Sequence, residues 1–306
     1  MREQTASPHE QRVKLRGLLE KPGLIVAPAA YDGFSARLVE RVGFSAVYLT
    51  GNGMSGSILG QPDVGLMGLS EVAFVARNIV GCVDIPVLVD ADTGYGNAIN
   101  AIYTVRTLES AGVAAIQIED QVNPKRCGHL PNARVVVGYD EAVRKIAAAS
   151  SARHDRALVL IGRTDAAGSL GTDEALRRAN AFLEAGADIA FIEHRAGRAE
   201  LESISRRVEG PLLVNQDEAG RSADLSASDL EQIGVKVAIY PGLLRYAACF
   251  AMRSALELLR RDGSTLHARA AMVDFEEYNA ILGLDGVKRL EDRFLPPAEA
   301  VSHGRG

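Results

Sequence analysis

The chain has 306 residues, 47% of them hydrophobic and 24% charged, with a formal net charge of −5. That balance describes an ordinary globular protein and excludes a collagen-like or low-complexity chain, and with no basic surplus there is no electrostatic footprint for nucleic acid. Three cysteines, Cys82, Cys127 and Cys249, are too sparse and odd in number for a disulfide scaffold. They suit a reducing compartment, so a cytoplasmic protein is expected.

Residues 1–21 mix acids and bases around no apolar core, which reads as a helical segment rather than a signal peptide. The uncharged stretch 42–62 is long enough to cross a bilayer but is dense in Gly, Ser and Asn. It reads as a strand followed by a loop, which leaves no membrane span. Short apolar runs recur at 24–28, 46–50, 87–91, 114–119, 158–163, 189–193, 212–215 and 237–241. Amphipathic segments at 71–81, 100–112, 140–150 and 173–187 separate several of them. Continuous apolar strands alternating with helices require a parallel sheet covered on both faces. Gly112, Gly186 and Gly234 each stand just ahead of a strand, where a left-handed helix stop is expected. Ser228 and Glu231 have capping-box spacing before the eighth strand. Eight such units predict an α/β fold, a (β/α)8 barrel over 22–245, with extra helices over 246–294 and a disordered tail at 295–306. The apolar faces of the extra helices need cover, and another subunit is one way to supply it.

A barrel of this kind carries its chemistry at the C-terminal ends of its strands. The residues falling there are Thr50-Gly51-Asn52-Gly53, Asp90-Ala91-Asp92, Glu119-Asp120, Arg163-Thr164-Asp165, Glu193-His194, Asn215-Gln216-Asp217-Glu218 and Tyr240. Asp90, Asp92 and Glu119 are hard oxygen donors from neighbouring strands, which suits Mg²⁺ or Mn²⁺. The bland alternative is that they cap helices. GNGMSG at 51–56 matches a dinucleotide fingerprint, but it runs into SILGQPDVGLMG, read as loop, and the later acid, Glu71, begins a helix rather than ending a strand. A backbone N–H cradle for a substrate carboxylate, with Thr50 adding a hydroxyl, is the better reading. In KRCGH, residues 125–129, two cations and a histidine flank Cys127, a setting that favours a thiolate and suits proton transfer at carbon. Cys82 and Cys249 read as small core fillers.

VDADTGYG (89–96), IEDQ (118–121), PKRCGH (124–129) and GRTDA (162–166) together resemble the isocitrate lyase and phosphoenolpyruvate mutase superfamily. The resemblance runs from about Leu24 to Phe294, and the K-[KR]-C-G-H loop marks its lyase branch. The relatives nearest in pattern are 2-methylisocitrate lyase, 2,3-dimethylmalate lyase and the oxaloacetate hydrolases. The ending YNAILGLDGVKRLEDRF is more similar to the dimethylmalate lyase, oxaloacetate decarboxylase and mutase side. The resemblance implies a Mg²⁺-dependent barrel that cleaves a 2-hydroxy di- or tricarboxylate to a 2-oxo acid and a carboxylic acid. Oxaloacetate hydrolysis or decarboxylation is the alternative, and phosphonomutase chemistry is disfavoured by the KRCGH loop. It also implies a homotetramer built from dimers that exchange C-terminal helices, with small carboxylates as the only partners.

Carried over residue by residue, Asp90 matches the direct metal ligand, and Asp92 and Glu119 match positions acting directly or through water. Cys127 matches a catalytic acid/base on a gating loop that Gly128 and His129 help close; with Arg163, Glu119 and His129 it forms the implied catalytic set. Tyr48, Thr50, Gly51, Asn52, Asp63, Lys125, Gly128, Arg163, Glu193 and Asn215 match substrate-binding or site-closing positions. Four departures stand out. Asn52 replaces a glycine of the cradle, narrowing it or adding a donor. Gly162 stands where Ala is usual. His194 follows Glu193 where a small residue is common, and Asn215-Gln216-Asp217-Glu218 is more polar than the usual pattern. The last two are expected to line the pocket for the distal end of the substrate.

Overall fold

In the computed structural model, which describes residues 6–127, 134–194, 196–218 and 225–295, eight parallel strands close into a barrel. The strands are β1 (Ile25–Ala30), β2 (Val47–Leu49), β3 (Val87–Asp90), β4 (Ala115–Glu119), β5 (Val159–Thr164), β6 (Ile189–Ile192), β7 (Leu212–Asn215) and β8 (Val237–Tyr240). Each pairs with its sequence neighbours, and β1 closes on β8 from Ile25 opposite Val237 to Pro28 opposite Tyr240. The fold is a (β/α)8 barrel.

Helices cover the outside: α2 (Gly33–Val42), α3 (Gly51–Met54), α4 (Leu69–Val80), α5 (Ala98–Ser110), α6 (Tyr139–Ser151), α7 (Ala167–Leu170), α8 (Thr172–Glu184), α9 (Arg198–Arg207) and α10 (Ala227–Ile233). Before them lies α1 (Pro8–Glu20), and after them α11 (Leu243–Asp262), α12 (Phe275–Leu282) and α13 (Leu284–Phe294). No helix among the described residues is long and apolar enough to cross a membrane. Gly112, Gly186 and Gly234 all have positive φ, as their place before strands requires.

Strand periodicity sorts the core into two layers. Ile25, Ala27, Ala29, Tyr48, Leu88, Val159, Ile161, Phe191, Leu213 and Ile239 point inward and pack together. The alternate positions, such as Val89, Ile116, Leu160 and Val214, pack under the helices. Continuing the inward parity to the strand ends brings Asp90, Gln117, Glu119, Arg163, Glu193 and Asn215 to one mouth.

The opposite end is plugged by α1. Its N-terminus is a full capping box of Ser7 and Glu10, and Leu15 is wholly buried in the inner barrel layer. Arg12 is buried and donates to the Val113 and Glu109 carbonyls and to Asp155, while Arg16 pairs with Asp188 at 2.7 Å.

Three expectations need correction. The cap ahead of β8 is Ser226 with Asp229, not Ser228 with Glu231, because the helix starts two residues earlier. The segment read as loop is loop over 60–68, but its first residues, 57–59, belong to a π-turn over Ser55–Leu59 that continues α3. Cys249 is exposed on α11 rather than filling a core, whereas Cys82 is half-buried with its thiol 3.6 Å from the Gly33 carbonyl.

Asp155 anchors α1 electrostatically. Burial alone would raise its carboxyl, but bonds from His9, the Ala157 amide and Arg12 outweigh that and hold it at about 2. A depressed carboxyl stabilises the fold above its unfolded pKa and loses that contribution as pH falls through the folded value. Asp155→Asn should therefore cost about 1–2 kcal/mol at neutral pH, the upper figure reduced by solvent screening. The gap from the parent chain should close between pH 4 and pH 2, as read by urea unfolding.

Candidate active site

Register places the inward polar groups side by side. Asp90 is the cross-strand partner of Gln117, and Glu119 that of Arg163. Tyr48 donates its hydroxyl to Gln117 Oε1 at 2.8 Å, and Gln117 Nε2 donates to Asp90 Oδ1 at 3.0 Å. All three are buried. The Asp92 amide also donates to Asp90 Oδ1 at 3.0 Å, through a backbone held at φ 48°. A left-handed aspartate costs of order 1–3 kcal/mol and is kept only where the surroundings dictate it.

Gly51 opens α3 directly over these acids. A Cβ there would stand 3.2 Å from Asp90 Oδ2 and 3.3 Å from Asp92 Oδ1, so both oxygens face one small space. Lys125 also enters this space. Its buried ammonium pairs with Asp63 Oδ2 at 2.7 Å and with Asp92 Oδ1 at 2.8 Å. Lys125 is thus committed to carboxylates rather than to its neighbour Cys127. Burial pushes Asp92 up to about 7 despite Lys125, with Asp90 and Asp63 adding to the rise. Glu119 is driven well above the usual carboxylate range, first by burial, against the pull of Arg163.

Arg163 is held on several sides. It makes paired 2.9 Å contacts with Asp165, contacts Glu119 Oε2 at 3.1 Å and Glu193 Oε2 at 3.5 Å, and lies 5.0 Å over the Phe191 ring. Burial alone would raise Asp165, but Arg163 and then Arg134 hold it below its ordinary range. Behind them, Asp120 accepts from Thr164 at 2.7 Å, from the Asp165 amide at 2.9 Å and from Arg178 at 2.9 Å. Gly162 has no room for a side chain, since a Cβ would approach Phe182 Cβ to 2.9 Å.

A cleft of about 530 Å³, partly open to solvent, gathers Tyr48, Thr50, Asn52, Asp63, Asp90, Lys125, Cys127, Arg163, Glu193 and Asn215. Gly51, Asp92 and Glu119 lie immediately behind this lining. The Cys127 amide is fixed to the Asp63 carbonyl at 3.1 Å. Gly128 and His129 lie outside the described residues. His194 is not part of the mouth: one position beyond Glu193 the chain points outward, and its Nε2 sits 2.6 Å from Glu200 on α9. Gln216 and Asp217 are buried but do not line the cleft either. The cleft lining also includes Arg134, Ile239, Pro241 and Arg245.

Sequence reasoning missed Gln117, Arg134 and Arg245. Gln117 was detectable, because a polar residue two positions before Glu119 shares its inward parity. Arg134 and Arg245 reach the cleft from a loop and from α11, and no spacing rule connects them to the strand ends.

The donor set fits a hard divalent cation. Asp90, Asp92 and Glu119 offer oxygens, and Glu119 Oε1 is buried with no hydrogen-bond partner among the described residues. Upward-driven carboxylates are short of positive charge, which such a cation supplies. Among the described residues, no three His, Cys, Asp or Glu side chains are clustered closely enough to ligate one ion as they stand.

A closed parallel barrel with this polar mouth defines a (β/α)8-barrel enzyme. The phosphoenolpyruvate phosphomutase family model matches residues 15–260, and the chain belongs to the phosphoenolpyruvate mutase/isocitrate lyase superfamily. It is 44% identical to 2,3-dimethylmalate lyase of Eubacterium barkeri over 281 residues, covering 92% of this chain and 97% of that one. It is also 44% identical to 2-methylisocitrate lyase of Aeropyrum pernix over 287 residues, covering 94% and 92%. Among solved structures, oxaloacetate acetylhydrolase in complex with 3,3-difluorooxalacetate superposes with a TM-score of 0.90 at 32% identity, covering 96% of this chain and 100% of that one. Phosphonopyruvate hydrolase in complex with oxalate and Mg²⁺ superposes with a TM-score of 0.86 at 33% identity, covering 94% and 99%.

Replacing Gln117 tests the inner relay. Gln117→Leu strands the Tyr48 hydroxyl and one Asp90 bond in a dry interior, at a cost of about 1–3 kcal/mol. Chemical denaturation should show that loss, and an unchanged midpoint would remove Gln117 as the link between them.

Proposed function

We propose that the chain is a Mg²⁺-dependent carbon–carbon lyase acting on a 2-hydroxy di- or tricarboxylate of the 2,3-dimethylmalate or 2-methylisocitrate type. The products are a 2-oxo acid and a carboxylic acid. The observation that carries this reading is one cleft lined at once by the acid Asp90, the guanidinium of Arg163 and the thiol of Cys127. Similarity to named lyases over nearly the whole chain supports it.

Asp90, Asp92 and Glu119 would hold the metal, with Mn²⁺ an equally hard substitute. When bound, it supplies Lewis acidity toward the substrate hydroxyl and the adjacent carboxylate. Glu119, reaching the metal through water from beside Arg163, accepts the hydroxyl proton as the C–C bond breaks. The electron pair of that bond passes onto the carboxylate of the departing fragment, and Cys127 Sγ returns a proton to its carbon. Arg163, prealigned by Asp165, stabilises the developing negative charge. Thr50, Gly51 and Asn52 orient the carboxylate beside the hydroxyl. Arg245, whose buried Nε has no hydrogen-bond partner among the described residues, takes a distal carboxylate together with Arg134. Lys125 with Asp63 ties the segment that carries Cys127 to the barrel.

The same reading assigns the C-terminal helices to a second copy of this chain. None of the twenty residues of α11 is buried, and Phe250, Leu256 and Phe275 are 64%, 65% and 81% exposed. Exchange of these helices in dimers that pair into a homotetramer covers them. Light scattering should give four times the mass of one chain. A cytoplasmic enzyme with no nucleic-acid or membrane partner is consistent with the composition.

Product analysis by NMR tests the reaction. The protein with Mg²⁺, and with EDTA as control, is offered 2,3-dimethylmalate, 2-methylisocitrate, isocitrate, 2-methylmalate and oxaloacetate. A 2-oxo acid appearing with its partner acid, only with metal, establishes the lyase. Oxalate plus acetate would transfer the assignment to an oxaloacetate hydrolase, the alternative favoured by the likeness to oxaloacetate acetylhydrolase. Pyruvate from oxaloacetate alone would indicate a decarboxylase. Cys127→Ser should cut turnover at least a hundredfold while Mg²⁺ still binds; full activity removes Cys127 from the chemistry. Asp90→Ala should abolish the calorimetric Mg²⁺ signal, and an intact titration would overturn its assignment as ligand.

A further inference from the structure

Asn52 departs from the cradle pattern of the family, and its carboxamide has a specific neighbour. Asn52 Nδ2 lies 3.4 Å from Cys127 Sγ, across 75 residues of chain. Both groups are half-buried. Neither segment has freedom to drift. On the Asn52 side, a Cβ at Gly53 would meet Thr50 Cγ2 at 2.7 Å and Tyr31 Cβ at 2.8 Å, so α3 sits tightly against Tyr31, the residue after β1. On the Cys127 side, the backbone amide is held by the Asp63 carbonyl, and the preceding amide donates to Gln121 Oε1 at 3.1 Å.

We infer that the Asn52 carboxamide is a positioning residue for Cys127, donating to its sulfur from the cradle side, aiming it into the cleft and favouring the thiolate left once the thiol has given up its proton. The inference rests on the acid/base reading of Cys127 given above. Sulfur is a weak acceptor as a thiol and a strong one as a thiolate, so an N–H donor at this distance binds the deprotonated form preferentially. Among the described residues, Asn52 Nδ2 is the one hydrogen-bond donor at this sulfur. The nearby ammonium of Lys125 is turned away from the sulfur, into Asp63 and Asp92. A glycine at position 52 offers no such donor, so the device belongs to this chain rather than to the pattern that it resembles.

The test reads the sulfur directly, without needing the substrate. In the full chain carrying Cys82→Ala and Cys249→Ala, the rate of Cys127 alkylation by iodoacetamide and the ultraviolet absorbance of the thiolate are measured at neutral pH. Asn52→Leu keeps the bulk and removes the donor, and Asn52→Asp keeps the shape but only accepts. Both should slow alkylation about tenfold and lower the thiolate absorbance. Asn52→Gly should show the same loss and serves if the leucine variant melts early. Parent-like alkylation in the leucine and glycine variants overturns the proposal. So does parent-like alkylation in Asn52→Asp, since the contact would then run from the thiol to an acceptor. Full turnover by Cys127→Ser would defeat the acid/base reading alone, because the alkylation result does not depend on it.

Discussion

Carboxylates buried at the end of a closed parallel barrel are the constraint to which the rest of this structure answers. Eight strands of one polarity bring every second side chain inward, and their last inward positions share a space too small to hydrate them all. The chain compensates in two places. Lys125 bridges Asp63 and Asp92 on one side of the mouth, and Arg163 is clamped by Asp165, Glu119 and Glu193 on the other. Between them Asp92 and Glu119 remain pushed upward, a charge deficit that the divalent cation proposed above would fill.

A second layer keeps these groups in place. Asp120 binds Thr164, the Asp165 amide and Arg178, and so joins the ends of β4 and β5 to α8. Tyr48, Gln117 and Asp90 form the corresponding chain across β2, β4 and β3. Both are built wholly from buried groups, so the loss of one member strands the others in a low dielectric. The preorganisation that a charge-separating reaction needs is therefore produced by folding itself. At the far end, α1 closes the barrel through Leu15 and a buried arginine, well separated from the mouth. Stability and chemistry are thus assigned to opposite ends of the same strands.

The loops supply what the strands do not. Cys127 reaches the cleft from a segment pinned to the Asp63 carbonyl, and Asn52 meets it from the short helix after β2. Arg134 and Arg245 bring positive charge to the distal side. Asp90, Arg163, Glu193 and Asn215 thus line the cleft from the strands, whereas Asn52, Cys127, Arg134 and Arg245 reach it from the segments that follow them.

The eight strands were legible in the sequence because each is a short, nearly continuous apolar run between helical periodicities, and their count with their spacing sufficed for the barrel. The convergence of Asp90, Glu119, Arg163, Glu193 and Asn215 was legible for the same reason, since inward parity carries every strand end to one mouth. Gln117 obeys that parity as well and needed only the register. What the sequence left undecided are contacts between residues far apart in the chain. No local rule says that Lys125 turns to Asp63 and Asp92 instead of toward Cys127, or that Asn52 donates to that sulfur. His194 points outward to Glu200 by the ordinary alternation that turns Glu193 inward. Periodicity fixes which face of an element a residue occupies; which partner it meets across the mouth is decided when the barrel closes and the connecting segments settle against buried charge.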